Sequence, residues 1–126
     1  MAENKKAKMV SNISLGKDGE EIAKKYLENQ GYKILETNRR FSRYCEIDII
    51  ALDRNTVVFC EVKTRKTNAC GTPLEAITRS KFENIKKGLF YYRSENPQYK
   101  LFRIDVIGIT IKPEIQIKHL KNVSFG

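Results

Sequence analysis

The sequence predicts a mixed α+β domain, an α/β arrangement in which one mixed central sheet is flanked by helices. Three observations predict it. Two segments, near residues 15–30 and 74–94, carry apolar residues at helical spacing. Between and after them lie five runs rich in Ile, Val, Phe and Leu, bounded by Gly, Asn, Asp and Pro. The central pair of runs, CEIDIIALD and TVVFCEVKTR, is apolar on both alternations near its turn, as in a sheet covered on both sides. The resulting order is α-β-β-β-α-β-β.

Composition sets the frame for these elements. A chain of 126 residues, 40% hydrophobic and 31% charged, fits one folded domain with its own core. Residues 1–14 read as a flexible basic tail and residues 15–126 as the domain, with no repeat or linker between them. No apolar run approaches the roughly 20 residues of a membrane helix, and the polar start lacks the apolar stretch of a secretory signal. These features give a cytoplasmic location as the expectation. Cys45, Cys60 and Cys70 are odd in number and lack CxxC spacing, which argues against a disulfide framework and a zinc site. His119 is the only histidine, so His-based triads have little material.

The first helix is expected over Leu15 to Gln30, with Gly31 as its stop. Its apolar stripe is Leu15, Ile22, Ala23, Tyr26 and Leu27. At about 100° per residue, Glu20 falls at the border of that stripe and Glu21 on the solvent side. YKILETNRRF follows as the first strand, then the two central runs. Thr72-Pro73-Leu74-Glu75 has the form of a capping box with proline at the first helical position, starting a helix that runs to about Ser94. KLFRIDVIGITI and EIQIKHL, separated by Lys112-Pro113, are the last two strands.

The central hairpin carries the chemistry. Strand side chains alternate faces, so Glu46, Asp48, Ile50 and Leu52 share one side, and Val57, Phe59, Glu61 and Lys63 share another. A two-residue loop at Arg54-Asn55 pairs Leu52 with Val57 and Ile50 with Phe59, setting Asp48 opposite Glu61 and Glu46 opposite Lys63. The other face, with Cys45, Ile47, Ile49 and Ala51 against Val58, Cys60 and Val62, reads as buried core. Opposed carboxylates repel, and one should take a raised pKa unless a cation intervenes. Carboxylate oxygens are natural ligands for a hard divalent metal, and Mg²⁺ needs only one or two of them. Lys63, on the face of Glu61, would then help activate an attacking water, an arrangement suited to phosphodiester hydrolysis.

The charge is consistent with that chemistry. A formal net charge of +9 permits binding to a polyanion or simply gives a basic solvated surface. Lys81 falls inside the apolar stripe of the second helix, formed by Leu74, Ile77, Ile85, Leu89 and Tyr92. It either snorkels outward, the commoner fate, or points toward the acidic pocket or a bound phosphate. Arg65 and Lys66, past the second central strand, read either as backbone-phosphate contacts or as solvated loop charges.

Asp48 and Glu61-x-Lys63 on paired strands, with a border glutamate on the preceding helix, resemble the PD-(D/E)XK nuclease superfamily. More closely, Gly16-x-x-Gly19-Glu20-x-x-Ala23, Asn38-x-Arg40, Glu46-Ile47-Asp48-Ile49-Ile50-Ala51, Glu61-Val62-Lys63-Thr64-Arg65, Gly71-x-Pro73, Glu75-Ala76, Lys81 and Arg103-Ile104-Asp105-Val106 are similar to the YraN-like family of small bacterial proteins. That family is itself similar to archaeal Holliday-junction resolvases. The resemblance spans about Gly16 to Ile109 and implies a restriction-endonuclease-like domain. It further implies Glu20, Asp48 and Glu61 as the acidic site, with Asp48 and Glu61 holding Mg²⁺ (or Mn²⁺ as a substitute). Lys63 would be the lysine assisting the attacking water, Lys81 a substrate contact and DNA the partner. The chain departs from the pattern at Cys45, where the family has glycine, and at Ile47, where the superfamily has proline. Asp105 matches the family, and a structural role at a strand junction fits it equally well.

Three functions accommodate these residues: a Mg²⁺-dependent nuclease acting on branched or single-stranded DNA, a nucleic-acid-binding protein with that fold and little catalysis, and a ligand-free charge network with Glu46 paired to Lys63. Junction cleavage would suit a homodimer, which no sequence feature establishes.

Overall fold

The computed structural model describes residues 15–67 and 77–124. The basic tail of residues 1–14, Cys70 and the Thr72-Pro73-Leu74-Glu75 capping box lie outside them. The elements are α1 (Leu15–Asn29), β1 (Lys33–Ser42), β2 (Cys45–Asp53), β3 (Thr56–Arg65), α2 (Arg79–Glu95), β4 (Leu101–Thr110) and β5 (Gln116–Leu120), in the order expected from sequence. The strands form one sheet in sequence order. Pairing is antiparallel except between β3 and β4, whose parallel register comes from the crossover through α2. No helix among the described residues is long and apolar enough to cross a membrane.

Both faces of the sheet are covered. Ala23 and Leu27 of α1 pack with Ile49, Ala51, Val58, Cys60, Val62, Ile107 and Ile109 on one face. On the other, Phe82, Ile85 and Tyr92 of α2 pack with Ile47, Ile50, Val57, Phe59, Ile104 and Val106. Double coverage explains why β3 and β4 are apolar almost without alternation.

The ends of α1 and α2 show how local sequence sets the layers. Gly31 takes φ +92°, a left-handed conformation in which a side chain is strained. The Gly31 N–H donates to Glu28 O and the Tyr32 N–H to Leu27 O, a Schellman closure. Leu27 and Tyr32 then join the same cluster, anchoring the turn to the core. The second helix begins at Arg79, later than the capping box predicts, because Thr78 is extended and its hydroxyl accepts the Lys81 N–H at 3.0 Å. Ile77 is therefore not helical. It sits one residue before the cap and shares a cluster with Phe82, four positions into the helix, as in a hydrophobic staple.

The central hairpin keeps its expected register near the turn and loses it toward the acids. Leu52 pairs with Val57, Ile50 with Phe59 and Asp53 with Thr56, leaving Arg54-Asn55 as the loop, with Arg54 at φ +60°. The ladder stops at Ile49–Cys60. One residue further, Asp48 Oδ2 accepts the backbone N–H of Val62 at 2.8 Å, so a side chain replaces the next strand contact.

Two expectations fail here. Cys45 and Ile47 belong to the α2-side cluster, whereas Ile49 and Ala51 belong to the α1 side. Alternation thus reverses at Asp48, and Cys45 and Cys60 lie on opposite faces. Across from Asp48, between the pairs Thr37–Ile49 and Arg39–Ile47, Asn38 adopts φ +51°. Asparagine tolerates this left-handed conformation better than other side chains, and it interrupts the pleat. Glu46 does not meet Lys63: it pairs with Arg40 at 2.9 Å, because β2 stays paired with β1 after leaving β3.

Candidate functional site

The reversal at Asp48 builds the site. Because β2 and β3 part there, Asp48 lines two pockets, one facing each helix. The α2-side pocket, about 340 Å³, is lined by Arg40, Arg43, Tyr44, Cys45, Glu46, Asp48, Glu61, Lys81 and Ile85. The α1-side pocket, about 110 Å³, includes Glu20, Asn38 and Asp48.

Glu61 is the unusual residue. It is only 7% exposed, and its Oε2 has no hydrogen-bond partner among the described residues. Its Oε1 receives Lys81 Nζ at 3.1 Å. Burial pushes the Glu61 carboxyl up to about 7, helped by the neighbouring Asp48 carboxyl, while Lys81 pulls the other way. Glu61 therefore keeps its proton to higher pH than an ordinary glutamate when no cation stands beside it.

Glu20 joins from the opposite face. Gly19 lets α1 approach β3 closely, since a Cβ there would overlap the Thr64 hydroxyl. Burial and then the Asp48 charge raise the Glu20 pKa, and a hydrogen bond from Asn38 opposes them. Asn38 thus both interrupts the strand and holds Glu20.

The structure brings together Asp48, Glu61 and Lys81, with Glu20 beside Asp48. Lys81 points to the acids and does not snorkel away. Lys63 is half-buried two residues beyond Glu61, lines neither pocket, and makes no hydrogen bond or ion pair among the described residues. Arg65 and Lys66 also lie outside both pockets, at and beyond the end of β3. The Cys45 sulfur lies under Gly88 of α2, where a Cβ would come within 2.8 Å of it, beside a register shift between Arg40 and Ser42.

No group of three or more His, Cys, Asp or Glu side chains suited to a metal gathers among the described residues. The acidic cluster is a pair, which meets the minimum of Mg²⁺, an ion that fills its remaining positions with water and substrate oxygens. The orphaned Glu61 oxygen beside Asp48 supplies the hard-donor chemistry such an ion takes.

Sequence reasoning missed Arg43 and Tyr44, which sit in a two-residue turn and carry no periodic signal. It also missed a second polar cluster, on the α1-side face where β4 and β5 meet. Asp105 is fully buried and accepts from Arg103 Nε at 3.0 Å and the Asn122 N–H at 2.9 Å, with His119 Nε2 at 2.7 Å. Tyr26 bonds the other His119 nitrogen at 3.0 Å, and Arg103 reaches Asp53 and Tyr32. Burial pushes the Asp105 carboxyl up, but the bonds from His119, Arg103 and Asn122 outweigh it and hold the pKa below its ordinary value. Asp105 takes a structural role, in the middle of β4 and not at a strand junction.

Comparison with known proteins places the chain. The profile described as "Uncharacterised protein family UPF0102" matches residues 19–109. The UPF0102 protein of Chlorobium chlorochromatii is 46% identical over 101 residues, covering 80% of this chain and 78% of the relative. That of Syntrophus aciditrophicus is 44% identical over 108 residues, covering 85% and 84%. That of Thermodesulfovibrio yellowstonii is 41% identical over 116 residues, covering 92% and 100%. The match reaches over both helices, all of β1 to β3 and most of β4, and so includes Glu20, Asp48, Glu61, Lys63 and Lys81; the chain belongs to the UPF0102 family.

Proposed function

We propose that this protein is a divalent-metal-dependent nuclease of the PD-(D/E)XK kind, hydrolysing phosphodiester bonds in DNA. The observation that carries the reading is Glu61: a buried carboxylate with one orphaned oxygen, held against Asp48 at a break in the sheet. A protein that only bound nucleic acid would gain nothing from carboxylates facing phosphates. Glu61 and Asp48 would hold the Mg²⁺. When bound, the ion polarises a phosphoryl oxygen and lowers the pKa of water.

The chain's own residues do the rest. Arg40, Arg43 and Lys81 give the pocket a basic rim that attracts and orients a phosphate. Lys63, whose side chain has no partner among the described residues, would assist the attacking water as a hydrogen-bond donor. Glu20, kept close to Asp48 by Asn38, adds a carboxylate from the second face.

Cleavage of labelled single-stranded, duplex and four-way-junction DNA with Mg²⁺ or Mn²⁺ tests the reading. Asp48→Asn and Lys63→Ala should each lower the rate by about 100-fold or more while leaving the fold intact. Cleavage that persists in both variants comes from another protein and removes the reading. Binding without any cleavage would favour a nucleic-acid-binding protein in its place.

A further inference from the structure

We infer that the substrate is single-stranded nucleic acid, with an unpaired base stacked on Tyr44 beside the phosphate to be cut; the inference rests on the nuclease reading and names its substrate class. Arg43 and Tyr44 form the two-residue loop between the paired residues Ser42 and Cys45. The Tyr44 N–H donates to the Ser42 hydroxyl at 3.2 Å, which fixes the turn. The Tyr44 ring is 71% exposed, and the Arg43 guanidinium lies 5.7 Å from its centroid. Both residues line the pocket that holds Asp48 and Glu61. An aromatic face, arginines and a carboxylate pair are thus presented within one cavity.

That combination selects among nucleic acids. Bases in a duplex are stacked on one another and show only their edges, so a ring at a turn tip has no base face to meet. A single strand offers a base face and a phosphate together, which aromatic side chains and a basic groove bind without sequence preference. A second exposed ring lies on α2. Phe41, in the strand leading to the turn, meets Tyr91 of α2 edge-on at 6.0 Å, and Tyr91 is itself 57% exposed. A duplex-binding surface would need basic residues alone, and this one interleaves them with exposed rings.

Fluorescence anisotropy in EDTA tests this without cleavage. The probes are a labelled single-stranded oligodeoxynucleotide, the same strand with one abasic position, and its duplex. The wild-type protein should prefer the single strand. Tyr44→Ala should weaken single-strand binding by about 5- to 100-fold and Tyr44→Phe by less than about twofold, while duplex binding stays within about twofold. Moving the abasic position along the strand should find one place that weakens wild-type binding and leaves Tyr44→Ala unaffected. A wild-type preference for duplex, or equal losses on both probes in Tyr44→Ala, overturns the inference. The two readings separate cleanly. Tyr44-dependent single-strand binding with no metal-dependent cleavage keeps the single-strand site at Tyr44 and ends the nuclease reading. Asp48-dependent cutting of duplex with Tyr44→Ala silent does the reverse.

Discussion

Glu61 and Asp105 are both buried carboxylates on adjacent, parallel-paired strands, yet the protein treats them oppositely. Asp105 receives bonds from Arg103, His119 and the Asn122 backbone and stays ionised below its ordinary pKa. Glu61 has one lysine, one orphaned oxygen and a second carboxylate beside it. Burial is common to both; compensation is not. A buried carboxylate with every lone pair answered is a structural joint, whereas one left half-answered is a place for a cation to enter.

The sharpest way to break that comparison is to neutralise Asp105. Asp105→Asn leaves Arg103 short of its main partner inside the sheet, and removing one member of a buried pair typically costs about 3–5 kcal/mol. Urea unfolding should show that loss, and a change under about 1 kcal/mol would mean the network is ornamental.

The two residues should also give stability opposite pH dependence in the absence of metal. Glu61 rises from an ordinary 4.5 to about 7 on folding, so its contribution is full below pH 4.5 and is lost as pH climbs through 7. At 1.36 kcal/mol per unit, the loss is on the order of 3 kcal/mol. Asp105 is lowered from 3.8, so its contribution is present above that pH and is lost on acidification. Glu61→Gln should flatten the slope between pH 4.5 and 7 and leave the acid limb alone. An unchanged slope would show that Glu61 is ionised with little strain.

Lys81→Met removes the only cation on Glu61 among the described residues. The lysine side chain is 42% exposed, so screening limits the destabilisation at neutral pH to about 0.5–1 kcal/mol. The midpoint of the Glu61-linked slope should move to higher pH, because the carboxyl pair loses its neutralising partner. No shift would place the lysine elsewhere in solution.

The smallest effect on stability belongs to Lys63. With no partner among the described residues to lose, Lys63→Ala should change unfolding by less than about 0.5 kcal/mol. That makes it a clean variant for activity. A large loss of stability would give Lys63 an intramolecular role like the one Asp105 has.

Much of this contrast was legible in the sequence. Element order, the Arg54-Asn55 loop and the approach of Asp48 to Glu61 all follow from alternation and turn chemistry. The reversal of faces at Asp48 does not, because it depends on one asparagine in a left-handed conformation across a strand pair. The misplacement of Cys45 follows from that reversal, and the failed Glu46–Lys63 pairing from β2 staying on β1 after it leaves β3. The Asp105 cluster escaped for a different reason: Tyr26, Arg103, His119 and Asn122 come from separate elements that only the closed fold assembles.

Calorimetric titration of Mn²⁺ into the wild-type protein, Asp48→Asn and Glu61→Gln at neutral pH tests the central claim most directly. The wild-type chain should bind the ion with release of protons, since the proton that Glu61 holds near neutrality must leave. Both variants should lose the binding, with their folds intact. Binding that survives in both, or none in the wild type, would contradict the claim that the half-answered carboxylate is a cation site.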